Sequence, residues 1–188
     1  MGRVYLFKTP HHPWYEYDRD LLAVDVALAT SAAPTYFPAH HIPGRGTFID
    51  GGVWANCPAM VGFVEAVDFL GRAPEQIRLL SLSTTSYPFR IGQKQQFGGL
   101  LGWSPKIIET LLFGQAQAAI AEVRCLLRHG LFHRIDYLTE PRLYQMNNAS
   151  CVQQLLAIGR STAELNEHMS VVQKEFLNGA TIEQFQLK

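Results

Sequence analysis

The chain of 188 residues lacks net charge, has few cysteines and contains no long apolar segment. Sixteen basic side chains balance sixteen acidic ones, which argues against a nucleic-acid binder that neutralises phosphates with a basic surface. No apolar run approaches the ~20 residues of a membrane span, and the N-terminus does not look like a signal peptide. The three cysteines form no Cys-x-x-Cys pair, so neither a disulfide framework nor a zinc site is expected. These absences predict a soluble, reduced, cytoplasmic protein.

The histidines do not form a metal-binding pattern either. Two of the pairs, at 11–12 and 40–41, are adjacent, and adjacent side chains on an extended segment point to opposite sides. His129 and His133 have helical spacing, but Gly130 lies between them and breaks the helix. We therefore expect no metal cofactor.

What is present is an apolar fraction of 47%, enough for a core, and a mixed pattern of strands and helices. Strand patterns occupy residues 4–7, 47–49, 77–82 and 132–137. Residues 38–46 are predicted as loop, and the turn residues Thr84, Thr85, Ser86 and Pro88 are expected to close the strand at 77–82. Helices are predicted from an N-cap at Asp20 to before Pro34, from Pro58 to Gly71, from 104 to Gly130, from Ser150 to 158, and from a Ser161/Glu164 capping box to 177. In the helix from 104, Ile107, Ile108, Leu111 and Leu112 are expected to face the core. The strand–helix–strand order over 48–82 favours a parallel sheet, hence an α/β fold. The glycine-rich residues 90–103 predict a mobile loop.

The most informative segment is FIDGGVWAN, residues 48–56. Asp50 comes just after a strand and before a helix, at the edge where α/β sheets collect ligands and catalytic groups. Gly51 and Gly52 allow a sharp turn and a close approach to the carboxylate. Asp50 then suits the role of a general base. The alternative is an ordinary tight turn, since Asp and Gly are common turn formers.

Together with ATSAAPTYFP at residues 29–38, this segment resembles the C-terminal half of the patatin-like phospholipases. The resemblance is specific over about 4–82 and continues more loosely to 177, through LLSLS at 79–83 and FHRI at 132–135. It implies a three-layer α/β fold and a lipid acyl hydrolase with a Ser–Asp dyad, in which Asp50 is the base. Residues 7–12, FKTPHH, further resemble the bacterial branch that includes cyclic-nucleotide-activated anti-phage effectors.

Two departures from the family concern the nucleophile. No Gly-x-Ser-x-Gly elbow occurs in the sequence, and the glycine-rich oxyanion loop is also missing. Ser31, Ser81 and Ser83 are not on elbows, so we expect no nucleophile in this chain and little activity of the chain alone. A third departure is STT at residues 83–85, where the family tends to have a glycine-containing turn.

The resemblance also implies the organisation and partners of the chain. Residues 1–188 are expected to be the C-terminal part of a patatin-like domain, with a matching core over ~1–88, a mobile loop over ~89–104 and a helical region over ~105–180. A phospholipid or other acyl lipid is the implied substrate, with transient membrane-surface contact and no cofactor. Three explanations stay open: a fragment of a phospholipase, one half of a split enzyme whose serine comes from another polypeptide, or a non-catalytic module that binds lipid or protein.

Three neighbouring features allow two interpretations each. Asn56 either caps the helix at Pro58 or steadies the loop that carries Asp50. Trp54 packs beside the site or in the core. The segment 97–103, rich in Leu, Phe, Trp and Gly, either dips into a membrane interface or folds back onto the core.

Overall fold

The computed structural model describes residues 2–87, 90–103, 106–128, 130–140, 144 and 148–178. The chain forms two compact units. The first holds residues 1–72 and 89–126, and the second holds residues 73–88 and 127–188. Predicted features at 104–105 and at His129 lie outside the described residues.

The first unit is mainly helical, with one small hairpin. Its elements are α1 (Ala23–Thr30), β1 (His40–Ile42), β2 (Gly46–Phe48), α2 (Gly52–Ala55), α3 (Ala59–Val64), α4 (Gln93–Phe97), α5 (Gly99–Trp103) and α6 (Ile107–Leu126). A π-helical segment, Glu65–Phe69, continues α3. Gly71, with a φ of 61°, follows it, as the sequence predicts for the end of this helix.

The second unit contains a parallel strand pair with helices. Its elements are β3 (Arg78–Ser86), β4 (Leu131–Leu138), α7 (Val152–Ala163) and α8 (Asn166–Val171), with short 3₁₀ turns at Pro74–Gln76 and Ala149–Cys151 and a π-helical end at Val172–Leu177. The pairing runs in register from Arg78↔Leu131 to Ser86↔Leu138, with an irregularity between Leu82 and Thr85. Parallel pairing together with helices confirms the α/β class. Both predicted strands are confirmed, although Thr84, Thr85 and Ser86 belong to β3 rather than to a turn.

The expectation that residues 47–49 and 77–82 belong to one parallel sheet is wrong for the described part of the chain, where β2 and β3 lie in different sheets. β2 instead pairs antiparallel with β1, with His40 opposite Phe48, in a region predicted as loop. Gly44, with a φ of 74°, and the hydrogen bond from the Arg45 N–H to the Ile42 carbonyl (3.0 Å) make the tight turn between them. Strands of three residues are too short to show an alternating pattern.

The predicted strand at residues 4–7 is also wrong, because this segment joins no ladder among the described residues. The rings of Tyr5 and Phe7 pack instead on Phe48 of β2, with centroids 5.7 and 5.1 Å away. A strand needs a hydrogen-bonded neighbour, and side-chain propensity alone does not provide one.

The segment 90–103 is not a loop, since it forms α4 and α5. The buried Gln95 accepts from the Gly92 N–H (3.1 Å) and donates to the Gly102 carbonyl (2.9 Å), which ties the two helices together. A Cβ on Gly102 would lie only 2.0 Å from the Lys94 carbonyl oxygen. Its glycine therefore serves close packing of the backbone and not mobility.

The long helix is confirmed as α6, but its buried face differs from the prediction. Ala116, Ile120 and Val123 are buried, whereas the predicted core residues Ile107, Ile108 and Leu111 are 43–66% exposed and Leu112 is half-buried.

The ends of three other helices also differ from the prediction. Asn148, and not Ser150, accepts the capping hydrogen bond of the 3₁₀ turn before α7, and Ser161 lies inside α7 while α8 begins at Asn166. Helix α1 begins at Ala23, two residues later than predicted.

The N-terminal segment is fastened to the π-helical segment by ion pairs. Lys8 pairs with Glu65 and donates to the Tyr15 hydroxyl (2.8 Å), while His11 Nε2 lies 2.7 Å from the other Glu65 oxygen. Burial raises the pKa of the Glu65 carboxyl, but the hydrogen bonds from Lys8 and His11 outweigh it and leave that pKa lowered. Burial likewise lowers the pKa of Lys8, and its bonds to Glu65 and Tyr15 leave it raised.

We expect Glu65→Gln to remove a stabilising contribution that depends on pH. Because the folded-state pKa of Glu65 lies below its ordinary value of 4.5, the contribution is present above pH 4.5 and is lost as the pH falls through the folded-state pKa. The variant should therefore be less stable than the parent at neutral pH, and the gap should shrink in acid. Urea unfolding of both proteins at neutral pH and at acidic pH measures this difference in the free energy of unfolding. Glu16→Gln, at an exposed position, is the control, and an equal gap at both pH values would contradict the assignment.

Candidate active site

Asp50 lies two residues after the end of β2, in a turn built around its own carboxylate. Its backbone N–H donates to the Ala32 carbonyl (3.0 Å), and its Oδ1 accepts from the Gly52 N–H (2.5 Å). The side chain is half-buried, and Oδ2 accepts no hydrogen bond from any residue that the structure describes. One carboxylate oxygen is thus held by the turn and the other can take a proton.

The two glycines after Asp50 are not equivalent. A Cβ on Gly52 would lie 2.9 Å from Asp50 Oδ1, so any larger residue there must displace the carboxylate. A Cβ on Gly51 would make only an ordinary contact, 3.5 Å from Thr30 Oγ1. The close approach needs glycine at position 52, and the steric argument for position 51 is weaker.

Asn56 braces the loop that follows Asp50. Its backbone N–H donates to Gln115 Oε1 (2.8 Å), and its Nδ2 lies 3.5 Å from the Leu112 carbonyl. Gln115 also donates to the Val53 carbonyl (3.4 Å), so α6 holds α2 at two points. Asn56 does not cap α3, because no side chain forms a capping hydrogen bond at the start of that helix. Gln115 has no signature in the sequence, since nothing marks a residue 59 positions away as its partner.

The two segments that carry the family resemblance meet at Ala32. After it, the N–H groups of Tyr36 and Phe37 donate to the Ala33 carbonyl (3.1 and 2.9 Å). Thr35 has a φ of 76°, the one non-glycine positive value among the described residues. That conformation costs a β-branched residue ~1–2 kcal/mol. Sequence reasoning missed this strained turn, because threonine gives no sign of it.

The serines do not supply a nucleophile in the described part of the chain. Ser31 Oγ donates to the Ala27 carbonyl (2.8 Å), and the buried Ser81 Oγ accepts from Arg134 (2.8 Å). Ser83 lies within β3. No serine hydroxyl described in the structure bonds to Asp50. No group of three His, Cys, Asp or Glu side chains that could hold a metal ion occurs among the described residues.

The surroundings of Asp50 are apolar and open. Ile49, Val53 and Trp54 are 53%, 50% and 45% exposed, so Trp54 is not a core residue. Near the start of α6, Ile108 and Leu111 are also exposed, and they precede by four residues Leu112 and Gln115, which bond to Asn56. In the part of the chain that the structure describes, no helix has the length and apolar character to cross a membrane.

Comparison with known proteins gives the family. Residues 5–63 match the model of the patatin-like phospholipases, a stretch that includes Thr35, Asp50 and Asn56. The resemblance predicted from the sequence is confirmed, because this stretch of the chain matches the patatin-like phospholipase family. The α/β class, as part of a three-layer fold, agrees with this assignment.

Within the family, the chain is similar to bacterial proteins named cGAMP-activated phospholipase. It is 36% identical to the one from Pseudomonas aeruginosa over 142 residues, 73% of this chain and 42% of the relative. It is 34% identical to the Vibrio cholerae protein over 118 residues, which are 57% of this chain and 33% of the relative. It is 49% identical to the Escherichia coli protein over 65 residues, which are 34% of this chain and 18% of the relative. The chain thus spans less than half the length of these relatives. No solved structure matches.

We expect Gln115→Met to loosen the loop after Asp50. The substitution removes the 2.8 Å bond to the Asn56 N–H and the longer one to Val53, a loss of about 1 kcal/mol in the free energy of unfolding. Amide exchange of residues 53–56 should become faster. Gln117→Met, at an exposed position two residues along α6, is the matched control. Equal exchange in the two variants would show that Gln115 does not brace the loop.

Proposed function

We propose that this chain provides the general base of a lipid acyl hydrolase, with Asp50 as the base of a Ser–Asp dyad. The observation that carries the proposal is the geometry of this carboxylate. Gly52 holds Oδ1 at 2.5 Å, Oδ2 is open among the described residues, and the turn lies within the segment that matches the family. The substrates would be acyl esters of phospholipids or related lipids.

The proposed reaction follows from the chemistry of a carboxylate base. Oδ2 of Asp50 accepts the proton of a serine hydroxyl while the serine oxygen forms a bond to the ester carbonyl carbon. The bond to the leaving alcohol then breaks, and Asp50 returns the proton to that oxygen. In the second half of the reaction, Asp50 takes a proton from water while the water oxygen forms a bond to the acyl carbon. The acyl–serine bond then breaks, Asp50 returns the proton to the serine oxygen, and the fatty acid is released. No cofactor takes part in these steps.

The serine would come from a polypeptide segment with a Gly-x-Ser-x-Gly elbow, which this sequence does not contain. A fragment and a split-enzyme half both require such a segment, and in both cases residues 1–188 act as the C-terminal part of the domain. The exposed Ile49, Val53 and Trp54 support contact of this face with another surface, either protein or lipid. A binding module without catalysis is the alternative, and it would act in the cytoplasm with transient membrane contact.

We also propose that a cyclic dinucleotide regulates the complete enzyme. Three relatives with 34–49% identity carry the name cGAMP-activated phospholipase. The Pseudomonas aeruginosa alignment covers 73% of this chain, so the similarity is not confined to one motif.

The dyad is tested by reconstitution. The chain is mixed with the N-terminal half of the Pseudomonas aeruginosa relative, and hydrolysis of a short-chain chromogenic ester is measured. We expect no turnover by the chain alone, turnover by the mixture, and a loss of about 100- to 10,000-fold on Asp50→Asn. Asp20→Asn, at a carboxylate whose side chain is 90% exposed, should leave the rate unchanged.

The other outcomes separate the alternatives. Turnover by the chain alone would contradict the absence of a nucleophile. A mixture equally active with Asp50→Asn would remove Asp50 from the mechanism. Binding to phosphatidylcholine vesicles that survives Asp50→Asn, without turnover in any mixture, would favour the non-catalytic module.

A further inference from the structure

The first unit contains an open cavity of about 300 Å³ formed by the N-terminal segment. Residues 3–6 and Lys8 line one part of it, and Trp14, Tyr15, Tyr17 and Asp18 line the other. None of the residues proposed for ester hydrolysis lines it. Its volume is at the lower end of the ~300–1,000 Å³ that is usual for ligand sites.

The charges that line this cavity leave one cation uncompensated. Asp18 accepts from the Tyr5 hydroxyl (2.6 Å) and the Lys8 backbone N–H (3.1 Å), and Arg45 lies 3.6 Å from it. The Lys8 ammonium is paired with Glu65. Arg3 has no carboxylate partner among the residues that the structure describes. An anion therefore meets a free guanidinium here, while the one carboxylate of the lining is already neutralised.

The cavity also offers aromatic faces to solvent. Trp14 is 80% exposed and Tyr17 is 67% exposed. Trp14 contacts His12 with an interplanar angle of 82°, and this contact leaves most of the indole exposed to solvent. Tyr17 already stacks with the Arg45 guanidinium, whose central carbon lies 3.8 Å from the ring centroid. A flat aromatic ligand would stack on Trp14.

We propose that this cavity binds a nucleotide, with the base stacked on Trp14 and a phosphate held by Arg3. The choice of a cyclic dinucleotide as ligand rests on the proposed regulation. A cavity of this size takes one base with its phosphate and leaves the second half of the dinucleotide at the opening. A quaternary ammonium head group, which also binds aromatic faces, is disfavoured because Arg3 and Lys8 both line the cavity.

One side chain of the cavity also packs against the strand that leads to Asp50. Tyr5 lines it, and its ring packs on Phe48, the last residue of β2, two positions before Asp50. Arg45, the partner of Asp18, lies in the turn between β1 and β2. A ligand that orders Tyr5 and Asp18 would thus reduce the motion of the hairpin that leads to Asp50.

Calorimetric titration of the chain with 3′,3′-cGAMP tests the proposal without any hydrolysis. We expect Trp14→Ala and Arg3→Gln each to weaken binding about ten-fold or more. Arg3→Gln should also reduce the dependence of the affinity on salt. The matched controls are Phe97→Ala, at an aromatic ring that is 84% exposed in α4, and Arg19→Gln, at an exposed arginine outside the cavity, and both should bind as the parent does. On binding, amide exchange should slow in residues 46–56.

The proposal is overturned by undetectable binding, by affinity that both variants retain, or by competition from phosphocholine but not from a mononucleotide. These results are independent of the reconstitution assay. If the cavity binds no nucleotide, the proposed role of Asp50 is unaffected. If the reconstituted mixture does not hydrolyse the ester, the proposed binding of a nucleotide is unaffected.

Discussion

The candidate site depends on the backbone hydrogen bond between Asp50 and Ala32. It joins the segment after α1 to the turn after β2, and these are the two stretches that carry the family resemblance. Once the backbone of Asp50 is fixed in this way, the Gly52 N–H reaches Oδ1 and sets the direction of the carboxylate. An Asp-Gly-Gly turn without that anchor would be free to rotate, and its base would have no fixed position relative to a nucleophile.

Two further sets of contacts hold this arrangement from opposite sides. Helix α6 fastens the loop after Asp50 through Gln115, and the rings of Tyr5 and Phe7 pack on Phe48 before it. The N-terminal segment is held in turn by the pairing of Lys8 and His11 with Glu65. Changes at the N-terminal cavity and at the site therefore act on one continuous set of contacts within the first unit.

How far the sequence predicted the structure depended on the range of the interactions. The strands at 77–82 and 132–137, the long helix and the α/β class follow from local pattern, and the structure contains them. Three features were predicted wrongly: the parallel sheet around β2, the loop at 90–103 and the buried face of α6. Each depends on a contact between residues that the pattern does not connect, such as His40 with Phe48 or Gln95 with Gly102.

For the site, the sequence alone determined the chemistry: a carboxylate followed by two glycines, and no elbow serine to accompany it. Residue types decide which atoms can accept a proton, so this much is local. Only the tertiary structure decided how that carboxylate is held and what surrounds it. Tertiary contacts formed the hydrogen bond from Asp50 to Ala32 and the one from Asn56 to Gln115. They also produced the strained backbone of Thr35 and placed Arg3 in one cavity with Trp14. Such contacts follow from packing, which no short window of sequence specifies.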